Sequence, residues 1–176
     1  MNLKPHGELT AEIGKGLKFE DYDVYYDHGP SSENVGRIIS YFGPKNAQGT
    51  QLSYLDIAIV KKNSNKVITL IEIEETNDKP KTLPGDIFCV LLGDHITFQG
   101  KLLDVGAWTT LIIFVYANTH HHERRQYILE KVKMVKTALD TKNAKIGKIV
   151  IENFSDEVKL TTSLPTILGT VLNGGL

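Results

Sequence analysis

The chain has 176 residues, long enough for one domain with a full core, and its 41% hydrophobic and 23% charged residues exclude extended disorder. Its 20 basic and 21 acidic residues give a formal net charge of −1, which excludes an overall basic field but leaves a local basic face open. The single Cys89 excludes an intrachain disulfide, and its apolar neighbours predict a core position in a reducing compartment. The chain shows no apolar signal segment or membrane-spanning run, so we expect a soluble, cytoplasmic protein without a membrane partner.

In the first part of the chain, residues 5–17 predict a helix, with Leu9, Ile13 and Leu17 on one face. Residues 22–26 predict a strand. Residues 32–41 are compatible with a helix that begins at Ser32-Glu33 or with a strand at their end, and the sequence leaves both open. Glycine, proline and polar residues over 43–50 predict a loop.

The clearest pattern is a β-hairpin, with one strand over residues 52–60, a turn over 61–65 and a second strand over 66–74. The spacing of apolar residues predicts the elements that follow: a helix over 82–92, a buried strand over 110–117, a long helix over 122–139, a strand over 148–152, and a helix over 161–172 interrupted near Leu164-Pro165.

This order of elements predicts the fold class. Strands separated by helices need crossover connections and parallel pairing, whereas the hairpin is antiparallel. We therefore expect a single α/β domain over residues 1–176, built on a central mixed β-sheet flanked by helices.

Acidic residues gather at the end of the hairpin. Side chains alternate along a strand, so Glu72 and Glu74 share one face and Glu75 lies on the other. A turn at Asn63-Ser64 pairs Asp56 with about Ile71, within one residue of Glu72. Asp56 can then reach Glu72 and Glu74 across the two strands.

Three converging carboxylates repel one another unless a cation neutralises them, and oxygen ligands favour Mg²⁺ or Mn²⁺. A cation with an open coordination position can activate a water and stabilise charge on a phosphoryl oxygen. The alternative is that these acids form a solvated strand end.

Asp56, the hairpin turn and Glu72-Ile73-Glu74 resemble the PD-(D/E)XK nuclease superfamily, which has the restriction-endonuclease-like fold. In that family an Asp on one strand and a (D/E)-X-K tripeptide on the next bind Mg²⁺ and direct a water at a phosphodiester. The spacing of 72 − 56 = 16 residues and the order of elements over residues 5–139 agree with the family. Two departures are Leu55 in place of the family's proline and Glu74 in place of its lysine.

The resemblance implies a Mg²⁺- or Mn²⁺-dependent deoxyribonuclease, an endonuclease rather than an exonuclease, that acts as a homodimer. It implies Asp56 and Glu72 as metal ligands, Glu74 as a ligand or water-orienting residue, and Glu8 or Glu12 as an auxiliary acid. A surface role is the alternative for Glu8 and Glu12. The lysine of the family motif orients the attacking water through its positive charge, which Glu74 cannot supply. The alternative function is therefore a non-catalytic nucleic-acid-binding or assembly module on the same fold.

Lys79, Lys81 and Arg37 are candidates for contacts with DNA phosphates, although solvated side chains would also account for them. The run His120-His121-His122 lies between a predicted strand and the long helix. It could bind Zn²⁺, lie near DNA or begin the helix, and the sequence lacks the HExxH and Cys/His spacings typical of zinc enzymes.

Overall fold

The computed structural model describes residues 4–43, 49–74, 82–116 and 146–173, together with residues 127, 130, 134 and 137. Three helices lie in the long described ranges: α1 (His6–Gly16), α2 (Thr82–Leu91) and α3 (Glu157–Leu172). The strands are β1 (Tyr22–Tyr26), β2 (Ile38–Tyr41), β3 (Gln51–Leu55), β4 (Ile57–Lys61), β5 (Val67–Glu74), β6 (His95–Phe98), β7 (Lys101–Leu103), β8 (Thr110–Tyr116) and β9 (Lys148–Phe154).

The strands form two sheets. A mixed five-stranded sheet has the order β1-β4-β5-β8-β9, in which β1, β4 and β5 pair antiparallel and β5, β8 and β9 pair parallel. A four-stranded antiparallel sheet has the order β3-β2-β6-β7. The predicted α/β class with a central mixed sheet is confirmed, and the second sheet was not predicted.

Strands β4, β5 and β8 of the five-stranded sheet are buried on both faces, which explains their continuous apolar runs. On one face, Ala58, Leu70 and Leu111 belong to an apolar cluster that includes residues of α2 and of the second sheet. On the other face, Ile57, Ile71 and Ile112 belong to a cluster that includes residues of α1 and α3.

The predicted strand over residues 52–60 is wrong as a single element, because the chain changes sheets at Asp56. β3 belongs to the four-stranded sheet and β4 to the five-stranded sheet. Leu55 and Ile57 both lie in the core, one in each apolar cluster, and Asp56 between them forms a bend. The apolar residues on both sides of Asp56 make the two strands look continuous in the sequence.

Other boundaries also differ from the prediction. Residues 38–41 form a strand, which settles the open choice for 32–41, because β2 pairs with both β3 and β6. The β6–β7 hairpin was not predicted; its turn at Gln99-Gly100 has φ values of 47° and 78°. Helix α3 begins at Glu157 and runs through Pro165 without the predicted interruption, since its buried residues Leu160, Leu164 and Leu168 stay on one face.

Most of the predicted long helix over 122–139 lies outside the described residues, and the four that are described, 127, 130, 134 and 137, are helical and exposed. Among the helices of the described part of the chain, none has the length and apolar character needed to cross a membrane.

Candidate functional site

A cavity of about 370 Å³ opens where the end of β5 meets the start of β4. We call it the acidic cavity; it is lined by His6, Asp27, His28, Arg37, Tyr54, Leu55, Asp56, Glu72, Ile73, Glu74 and Ile113. Antiparallel pairing explains its position, because the beginning of β4 lies beside the end of β5. Asp56, Glu72 and Glu74, which the sequence predicted to lie close together, therefore line one cavity.

Asp56 is held in place by two hydrogen bonds. Its Oδ2 accepts from the Ile73 backbone N–H at 2.7 Å, and its Oδ1 lies 2.8 Å from His6 Nε2. Because an ionised carboxylate only accepts, the His6 ring donates here. Only 10% of the Asp56 side chain is exposed, so its orientation is fixed by the protein rather than by solvent.

Glu72 and Glu74 lie on the predicted face of β5. They line the cavity and are half-buried, while Ile71 and Ile73 pack into the opposite core. Ile57 pairs with Ile71, so the same register continued by one residue places Asp56 beside Glu72. Ile113 of β8, the register partner of Glu72, also lines the cavity.

His6 is a lining residue that sequence reasoning missed. It is the first residue of α1, and it reaches Asp56 because α1 packs on β1 through Leu9 and Ile13. Its ring also meets the His28 ring edge-on, with centroids 5.7 Å apart. His6 and Asp56 are separated by 50 residues in the chain, and no local motif around His6 indicates their contact.

Asp27 and His28, which follow β1, were also missed. The Asp27 backbone N–H donates to the Asp56 carbonyl at 2.9 Å, and the Asp27 carboxylate accepts from the His28 N–H at 2.8 Å. His28 has a φ of 63°, a left-handed conformation that is uncommon for residues other than glycine. This turn brings a further carboxylate and a further imidazole to the cavity.

One wall of the cavity is formed by Arg37 and Tyr54. The Arg37 guanidinium lies over the Tyr54 ring, with Cζ 5.0 Å from the ring centroid. Among the described residues that line the cavity, Arg37 is the sole lysine or arginine, and it was predicted as a nucleic-acid contact. Tyr54 was not predicted to have a role.

The charges of the cavity favour a cation. Four carboxylates, from Asp27, Asp56, Glu72 and Glu74, face one guanidinium and two imidazoles. Within the described ranges, no group of three His, Cys, Asp or Glu side chains stands at a spacing that could hold a metal. Mg²⁺ is usually bound by one or two carboxylates together with waters and substrate phosphates, and Asp56 and Glu72 are the carboxylates of the cavity that could contribute to such a site.

The predicted auxiliary acids are not brought to the cavity. Glu8 and Glu12 are exposed on α1. Glu12 and Glu157 both contact the Lys4 ammonium, so Lys4 links α1 to α3, and the hydrogen bond to Glu12 raises the pKa of Lys4 above its usual value. Lys79, Lys81 and His120-His121-His122 lie outside the described residues.

Lysines line a second cavity, of about 300 Å³, between the end of α1 and β1. Lys15, Lys18 and Lys62 line it together with Phe19 and Tyr22. The Lys62 ammonium donates to the Glu20 carbonyl at 2.6 Å. The acidic cavity and this basic one thus lie near opposite ends of α1.

Comparison of the chain with protein-family models, with curated proteins and with solved structures gives no match. The α/β fold and the residues of the acidic cavity are therefore the features that bear on the function of the protein.

Proposed function

We propose that the protein is a metal-dependent nuclease that hydrolyses phosphodiester bonds of DNA. The observation that carries this proposal is the placement of Asp56. It lies where the chain changes sheets, is held by Ile73 N–H and His6, and lines one cavity with Glu72 and Glu74. Each carboxylate oxygen has two lone pairs, so Asp56 can keep these two hydrogen bonds and still bind a cation.

The order of elements supports the proposal. Helix α1 precedes the antiparallel strands β1, β4 and β5; helix α2 follows, and β8 then pairs parallel to β5. This is the order that the resemblance to the PD-(D/E)XK superfamily implies, with the Asp at the beginning of one strand and the two glutamates at the end of the next. The second sheet is an addition to that order.

The roles follow from the contacts. Asp56 and Glu72 would hold Mg²⁺ or Mn²⁺, and Ile73 N–H and His6 keep the Asp56 carboxylate oriented. Such a cation, when bound, acidifies a coordinated water and offsets charge on the phosphoryl oxygens. The Glu74 carboxylate can bind a metal or accept the proton of the attacking water. Arg37 can donate to a phosphate oxygen of the DNA.

The second candidate is a non-catalytic nucleic-acid-binding or assembly module on the same fold. Glu74 favours this module, because the motif of the PD-(D/E)XK superfamily has at that position a lysine whose positive charge orients the water. Arg37 also suits a binding module, because it lies over the Tyr54 ring at the wall of the cavity. Among the described lining residues, it is the sole lysine or arginine.

A cleavage assay tests the proposal. Plasmid, single-stranded and branched DNA are incubated with Mg²⁺ or Mn²⁺ and wild-type protein, Asp56→Ala or Glu72→Ala. We expect metal-dependent cleavage by the wild type and at least 100-fold less by either variant, because each removes a predicted ligand. Glu20→Ala, which removes an exposed acid outside the cavity, is the control. Full cleavage by both cavity variants would rule out the site, and no cleavage by the wild type would favour the binding module.

A further inference from the structure

Tyr54 presents a large aromatic ring to the acidic cavity. Strand alternation directs its neighbour Leu55 into the core, so Tyr54 points outward, and it remains 47% exposed. Its ring lies two residues from Asp56 in the chain and lines the same cavity. An exposed aromatic ring beside a candidate phosphodiester site provides a surface on which a base can stack.

Arg37 completes this surface. Its guanidinium lies 5.0 Å from the Tyr54 ring centroid, and Nη1 approaches the Tyr54 hydroxyl at 3.4 Å. Arg37 is itself exposed, so its remaining N–H groups can donate to a ligand. Because the guanidinium covers one face of the ring, a base would stack on the other face, and the outer N–H groups of Arg37 would bind an adjacent phosphate of the same strand.

The charge of the described lining residues favours a single strand over a double helix. Duplex DNA carries one negative charge per about 1.7 Å of its axis, and its binding proteins neutralise several phosphates on two strands. Among the described residues that line the cavity, one guanidinium faces four carboxylates. The volume of about 370 Å³ is near the lower end of ligand pockets, about 300–1,000 Å³, and suits one nucleotide unit.

We infer that the acidic cavity accepts an unpaired strand of DNA, with one base stacked on Tyr54 and an adjacent phosphate bound by Arg37. This inference rests on the proposed nuclease function, since it specifies the substrate of that same site. In a duplex each base is stacked between its neighbours, which hides its faces, so stacking on Tyr54 requires a base that is free to leave the stack.

Binding of a fluorescently labelled single-stranded 12-mer, followed by anisotropy with Ca²⁺ in place of Mg²⁺, tests the inference, and gel electrophoresis checks that the DNA stays intact. Loss of base–aromatic stacking predicts roughly 5- to 150-fold weaker binding by Tyr54→Ala. Tyr54→Phe and Tyr54→Trp should keep the affinity because they keep a ring. Arg37→Ala should weaken binding and reduce the salt dependence by about one phosphate contact.

Trp108 supplies a matched control. It is 48% exposed and has the Lys66 ammonium 4.9 Å from its ring centroid, so it is also an exposed ring under a cation. It precedes β8, and Lys66 precedes β5, so both lie at the end of the sheet opposite to Glu72 and Glu74. Trp108→Ala should leave single-strand affinity unchanged.

The same oligonucleotide in duplex form should bind more weakly, and Tyr54→Ala should not change its affinity. Unchanged single-strand binding by Tyr54→Ala, or equal affinity of the wild type for duplex and single strand, would overturn the inference. If Asp56-dependent cleavage persists in that case, the nuclease function stands and only the substrate assignment fails. If Tyr54-dependent binding is found without any cleavage, the binding module replaces the nuclease and the unpaired strand remains its ligand.

Discussion

The Asp56 carboxylate has both a structural role and a proposed chemical role. One carboxylate oxygen satisfies the Ile73 N–H at the point where β4 leaves the pairing with β5, and the other meets His6. The fold therefore depends on the residue that would also hold the cation. Substitutions that keep or remove the hydrogen-bond acceptor can separate these two roles.

Asp56→Asn keeps an oxygen for the Ile73 N–H, whereas Asp56→Ala leaves that buried donor unsatisfied. We expect Asp56→Ala to lower the free energy of unfolding by about 1–3 kcal/mol more than Asp56→Asn does, measured by urea denaturation without metal. Both variants should lose the response to Mn²⁺. Equal stability of the two variants would contradict the structural role assigned to Asp56.

His6→Ala should weaken Mn²⁺ binding by roughly 10- to 100-fold, because a residue that hydrogen-bonds to a metal ligand orients that ligand and tunes the metal affinity. Titration calorimetry measures this change. Glu8→Gln and Glu12→Gln are controls on the same helix, since both side chains are exposed and outside the cavity. If Glu8→Gln or Glu12→Gln weakened Mn²⁺ binding more than His6→Ala, the auxiliary acid predicted from the sequence would be supported instead of His6.

Residue alternation was enough to place Glu72 and Glu74 on one face and to bring Asp56 near them. It could not find His6, because that contact depends on how α1 packs rather than on a periodic pattern. Asp27 and Tyr54 were missed for a related reason: each looks like an ordinary strand or turn residue until the sheets are assembled.

At the scale of elements, the packing of α1 on β1 sets the position of His6. Gly14 allows this close approach, because a Cβ at that position would lie 2.3 Å from Cγ of the Tyr26 ring. We expect Gly14→Ala to destabilise the protein by about 1–3 kcal/mol in urea denaturation and to weaken Mn²⁺ binding by displacing His6. Gly16→Ala is the matched control, since its Cβ would meet nothing within 4 Å; similar effects of both substitutions would contradict the packing argument.

Helix α3 begins with a charged cap. The Asp156 carboxylate accepts from the Lys159 N–H at 2.8 Å, and this bond, with one from the Ser155 hydroxyl, lowers the pKa of Asp156 below its usual value. A lowered folded-state pKa stabilises the protein above the unfolded pKa, near 3.8, and that stability is lost as the pH falls through the folded value.

Asp156→Asn, which caps without a charge, should therefore have a smaller fall in melting temperature between pH 5 and pH 2 than the wild type has. Thermal denaturation followed by circular dichroism across that range measures the difference. An unchanged pH dependence would show that the Asp156 charge does not contribute.

The order of most described elements could be predicted from apolar spacing, but the break between β3 and β4 could not. A strand that leaves one sheet for another keeps apolar residues on both sides of the junction, so its pattern resembles one long strand. The short β6 and β7 carry too few residues for a period to show. Pro165 indicated an interruption of α3, yet the packing of Leu160, Leu164 and Leu168 keeps the helix continuous.

At the scale of the whole molecule, the acidic cavity gathers residues from both sheets and from α1. Strand β5 of the five-stranded sheet supplies Glu72 and Glu74, and the bend between β3 and β4 supplies Asp56. The four-stranded sheet supplies Tyr54, and the connection before β2 supplies Arg37. The resemblance implies a homodimer for enzymes that cut both strands of a duplex. A site for an unpaired strand requires only one copy, so the oligomeric state bears directly on the substrate assignment.

We propose that Asp56 and Glu72 hold a divalent cation, and calorimetric titration of metal-free protein with Mn²⁺ measures this binding. We predict one site per chain in the wild type, no measurable binding by Asp56→Asn or Glu72→Gln, and wild-type binding by Glu20→Gln. At one hundred times its Kd, Mn²⁺ should stabilise the wild type by about 2.7 kcal/mol, a rise in Tm of roughly 5–10 °C. Equal Mn²⁺ affinity of the wild type and both cavity variants, or no binding by the wild type, would contradict this proposal.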